Sequence, residues 1–145
     1  MEASQFTAAG IRAALERKQS EKAEAERQHR EKQAAEHAAL HETFEKQEVG
    51  PHALERVMAV VHRAIEQGEK EALVLRFPSD FMKDEGRSLT SHIGDWTGQL
   101  TGFAARGVAW FHQELEPRGF RMRAAILDYD KEGIPGDVGV FLRWD

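Results

Sequence analysis

The sequence predicts an α+β protein: two helices, then a small three-stranded mixed sheet with one crossover helix, in the order α-α-β-α-β-β. Three observations lead there. From Glu16 to Ala39 there is no Leu, Ile, Val, Phe or Met, and no Gly or Pro interrupts a run made almost entirely of Glu, Lys, Arg, Gln and Ala. After Gly50 and Pro51, apolar residues recur at the spacing of one helix face. After Gly119 they alternate along two short runs, as in strands.

The first element spans about Thr7 to Gln47 and would be roughly 60 Å long. Its residues are strong helix formers. Arg17–Glu21, Lys22–Glu26, Arg27–Glu31 and Lys32–Glu36 pair opposite charges one turn apart. Each such pair adds about 0.2–0.5 kcal/mol, and the basic-to-acidic order places these at the low end. A leucine zipper is excluded. Large apolar residues stand only at the ends, as Ile11 and Leu15 and as Leu40 and Phe44, with alanines between. This leaves two readings: an Ala-lined contact with another helix, or a solvated helix anchored at its ends.

Gly50 and Pro51 end that helix and start the next, since Pro suits a first helical turn. Leu54, Val57, Met58, Val61 and Ile65 form its apolar stripe. A strand follows over Ala72 to Phe77, with Leu73, Leu75 and Phe77 expected on the core face and Arg76 on the other. Ser79 to Trp96 is a long polar loop. Thr97 to Glu116 is a helix, and Gly107 on its apolar face suggests close packing on the sheet. Phe120 to Tyr129 and Val138 to Trp144 are strands, expected to form an antiparallel hairpin. The strand–helix–strand portion is expected to be parallel. The division falls into 1–49, an interaction arm, and 50–145, a small domain. The last 75 residues form a marginal core, and a three-stranded sheet leaves two open edges. Both points call for completion by the preceding helices or by a second copy.

The 145 residues carry a formal charge of −5, which disfavours nonspecific binding to nucleic acid or anionic membranes. No cysteine is present, so disulfides, thiolate zinc sites and cysteine nucleophiles are excluded. No apolar run reaches the roughly 18 residues of a spanning helix. Met1 to Gly10 lacks the pattern of a secretory signal. The expectation is a cytoplasmic protein with no membrane role and no cofactor, for which nucleic acid is an improbable partner.

Three groups of residues carry potential chemistry. Alternation puts Arg76, Arg121, Arg123 and Arg143 on the sheet face away from the core. If Met122 pairs with Trp144, Arg123 lies opposite Arg143. Like charges so placed demand something anionic: a Glu from a neighbouring helix or a second subunit, or a bound anionic ligand. The loop from Ser79 holds Asp84, Arg87, Ser88 and His92, near where ligands of α/β sheets bind. There His92 is a candidate base and Ser88 a candidate nucleophile, but no catalytic motif supports them. His37 and His41, one turn apart, are weak zinc candidates with Glu45, His52 or His62 as a third ligand. Their position beside Leu40 and Phe44 reads better as the border of a helix contact, so no metal is expected. The leading functional expectation is a non-enzymatic module for protein interaction or self-association. It would act through Ile11, Leu15, Leu40 and Phe44, with a homo-oligomer or a protein partner on the long helix. The alternative is a small anionic-ligand-binding protein or enzyme that uses the arginine face and the polar loop.

Overall fold

A computed structural model describes residues 2–145. The chain is α+β, as its periodicities require. It divides into two units, the first ending at Glu42 and the second running Thr43–Asp145.

The first unit is almost entirely helix α1, Ala8–Lys46, whose last residues belong to the second unit. Its 39 residues give a length of about 58 Å. Arg27 sits between Glu24 and Glu31, at 2.5 and 3.0 Å, and both pairs are exposed. No side chain of α1 is buried except Phe44. The helix therefore rests on residue propensity and local charge pairs rather than on a core of its own.

The second unit contains α2, Ala53–Glu66; β1, Glu71–Pro78; α3, Arg87–Thr90; α4, Gly102–Glu114; β2, Arg121–Ile126; and β3, Asp137–Arg143. The sheet order is β1-β3-β2, and both pairings are antiparallel. The expected mixed sheet is thus corrected. β1 and β2 run in the same direction, but β3 lies between them. β3 is the natural central strand: Val138, Gly139, Val140 and Leu142 are all buried. Its most apolar backbone is the one paired along both edges.

A β-bulge between Leu73 and Leu75 corrects a second expectation. Val74 is the extra residue, so parity flips along β1. Ala72 and Phe77 are buried, Leu75 pairs with Val140, and Leu73 turns outward at 40% exposure. The β2–β3 register also differs from the expected one. Met122 pairs with Leu142, Arg123 with Phe141, and Arg121 with Arg143.

The core lies on one face of the sheet. One cluster joins Phe44, Phe77, Phe81 and Met82 to Ala104 and Val108 of α4. Phe44 stacks at tilted angles on Phe77 and Phe81, with ring centroids 5.5 and 4.9 Å away. The other joins Val61 and Ala64 of α2 to Ala72, Phe111, Leu115 and Leu142. Met58 and Ile65, expected in the stripe of α2, are about half exposed. The buried face of α2 is shifted toward Ala53, Val61 and Ala64.

The close approach expected at Gly107 occurs instead at Gly102. A Cβ at Gly102 would stand 2.8 Å from the Phe44 carbonyl oxygen and 2.9 Å from Glu45 Cα, and its φ is +51°. A Cβ at Gly107 would meet nothing within 4 Å. Arg106 of α4 donates to the Gln47 carbonyl at 3.1 Å and also to the Glu45 carbonyl, satisfying main-chain acceptors where α1 ends.

Candidate functional site

The four sheet arginines do share the face away from the core, and acidic groups of their own unit meet them. Glu71, at the start of β1, pairs with Arg143 across the sheet. Its carboxylate accepts from Arg123 Nε at 2.8 Å and from Arg123 Nη2, and lies 3.9 Å from Arg143 Nε. The hydrogen bond from Arg123 holds the Glu71 carboxyl below the usual carboxylate range, against a smaller opposing effect of burial. The same bond holds the Arg123 guanidinium above its ordinary value. Arg123 also lies over the Phe141 ring, 4.2 Å from its centroid, a cation–π contact. Arg76 Nε donates to Asp137 Oδ2 at 2.7 Å, with Asp128 4.0 Å away. Arg143 donates to the Asp145 carboxylate at 3.0 Å, and Arg121 to the Asp145 main-chain oxygen at 3.2 Å. The Arg143 contact lowers the Asp145 pKa. The counter-charge sought from a neighbouring helix or a second subunit comes largely from the strands themselves.

Asp84 has a structural role in the loop. Asp84 accepts from the Gly86 amide at 3.0 Å and the Ser88 amide at 2.8 Å, organising the single turn of α3. Burial pushes the Asp84 carboxyl up, and the hydrogen bonds donated to it pull it further down, leaving it below the usual range. Ser88 is buried beside Asp84. His92 is exposed, with φ at +56°. Arg87 is exposed and offers its carbonyl to Ser91 Oγ at 2.6 Å. No nucleophile–base contact joins Ser88 and His92 among the described residues. The stretch is also less polar than its sequence suggests, because Phe81, Met82 and Leu89 enter the core.

Ile11, Leu15 and Leu40 are exposed at 40%, 56% and 51%. Phe44 is buried in the second unit and is spent on that core. His37 and His41 are exposed on α1, and no group of three or more metal-ligating side chains assembles among the described residues. No helix among these residues is long and apolar enough to cross a membrane.

Sequence reasoning missed one feature. A cavity of about 320 Å³ lies between α2, α4 and the core face of the sheet. Val57 and Val60 of α2, Val74 and Leu75 of β1, and Gly107 and Trp110 of α4 line it, with Arg56 beside them. Gly107 on an apolar helix face was the available signal, but its open side faces a void rather than a neighbouring backbone.

No protein-family model, curated protein or solved structure matches this chain.

Proposed function

We propose that the chain is a non-enzymatic self-association module whose long N-terminal helix pairs with that of a second copy. One observation carries the reading: from Ala8 to Thr43, α1 buries no side chain, yet it exposes Ile11, Leu15 and Leu40. Tertiary packing of one face supplies most helical stability in proteins, so a helix this long without a core gains from a partner. At about 100° per residue, Ile11, Leu15 and Leu40 fall within about 40° of one another. Antiparallel pairing sets Ile11 and Leu15 of one copy against Leu40 of the other. The same register brings Lys18 toward Glu36. The helix holds 8 Lys and Arg and 8 Glu, so two copies meet without net repulsion. A cytoplasmic setting belongs to the same proposal and rests on the cysteine-free composition.

The arginine face supports the alternative, anionic-ligand reading less well, because Glu71, Asp137 and Asp145 already engage its cations. Light scattering on the full chain tests the proposal. A dimer is expected at micromolar concentration. Leu15→Ser with Leu40→Ser is expected to give monomers whose tryptophan-monitored melting is unchanged. A wild-type protein that stays monomeric would overturn the reading.

A further inference from the structure

The cavity is half open to solvent, and its lining is largely apolar. At about 320 Å³ it falls at the low end of the range of small-molecule pockets. Apart from Arg56 its side chains are aliphatic and aromatic, so a water inside would find few hydrogen-bond partners. Two lining side chains carry nitrogen donors, Arg56 and Trp110. Val57, Val60 and Trp110 are partly exposed, and Arg56 is the most exposed of the lining residues.

Arg76, Arg106, Arg123 and Arg143 are each held by a carboxylate, whereas Arg56, like Arg63 and Arg87, is not. Arg56 has no ion pair or side-chain hydrogen bond among the described residues, and the nearby Glu55 is engaged by His52 at 3.4 Å. An uncommitted arginine among the lining of an apolar pocket is complementary to a carboxylate head on an apolar body. At the roughly 30 Å³ that a water occupies in the liquid, the volume admits about ten heavy atoms.

We infer that the cavity binds a medium-chain carboxylic acid, its chain among the valines of α2 and β1 and its carboxylate at Arg56. Sodium decanoate, below its micelle-forming concentration, is the probe for the full chain. Saturable binding is expected, read by fluorescence of the lining Trp110 and by a raised melting midpoint. Arg56→Gln is expected to weaken decanoate about tenfold or more while leaving 1-decanol unchanged, since one charge-assisted contact is worth at least that factor. Gly107→Leu places a side chain in the void and is expected to weaken both probes about tenfold or more. Should that variant not fold, Val57→Phe fills the same space from α2. The inference is overturned by any of three results: no saturable decanoate binding, wild-type affinity in Arg56→Gln, or butyrate binding as tightly as decanoate.

Discussion

Glu71 sits against two arginines, and its lowered pKa makes a statement about stability and pH. Its carboxyl titrates below the ordinary value because Arg123 donates to the ionised form. A depressed carboxylate contributes stability that is fully present above its unfolded pKa. That contribution is lost as pH falls through the folded pKa. Glu71→Gln is therefore expected to lower stability at neutral pH by about 0.5–1 kcal/mol, the range of a well-formed, partly exposed pair. The deficit should shrink below about pH 4 and vanish in stronger acid. Denaturant melts of both proteins across that range check this, and a deficit independent of pH would refute the ionic account. Arginines on the outer sheet face were foreseeable from alternation. Their partner was not, because Glu71 stands one residue before the expected strand and its reach depends on which strands are neighbours.

Among the elements, α4 shows how one residue type takes opposite roles in a single helix. Gly102 has a positive φ and main chain of the 44–45 segment against it. Gly102→Ala is expected to cost about 2 kcal/mol or more, through αL strain and that clash. Gly107 has open space, so Gly107→Ala is expected to stabilise by up to about 1 kcal/mol through helix propensity. Thermal midpoints of the two variants should move in opposite directions. The sequence pointed to Gly107 for close packing, and the close approach occurs at Gly102 instead. Local pattern reports which face a residue occupies, not what stands opposite. The same limit explains the sheet. Strand positions follow from alternation, but insertion of β3 between β1 and β2 depends on which strand buries best along both edges. The bulge at Val74 then reverses a parity that the sequence displays as regular. The cavity escaped for a similar reason, since a void belongs to three elements at once.

The whole molecule joins two units held by different forces. The first is a helix sustained by propensity and local charge pairs. The second has an apolar core and cooperative packing. All three tryptophans, Trp96, Trp110 and Trp144, lie in the second. Far-ultraviolet circular dichroism is therefore expected to show a broad early loss of helix before the main transition, while tryptophan fluorescence shows only the later, sharp one. The early phase should move to higher temperature with protein concentration if copies pair through α1. Coincident transitions by the two probes would show that the units unfold together.

The irregularity at Val74 also bears on how chains avoid sticking to one another. β1 and β2 are the edges of an open sheet, and a flat edge is a template on which a foreign strand can polymerise. The extra residue twists β1 away from that geometry, and Pro78 removes a donor at its end. The other edge carries the exposed Arg121, whose charge repels an identical approaching strand. Fibril-like growth through the sheet is thereby discouraged at both margins.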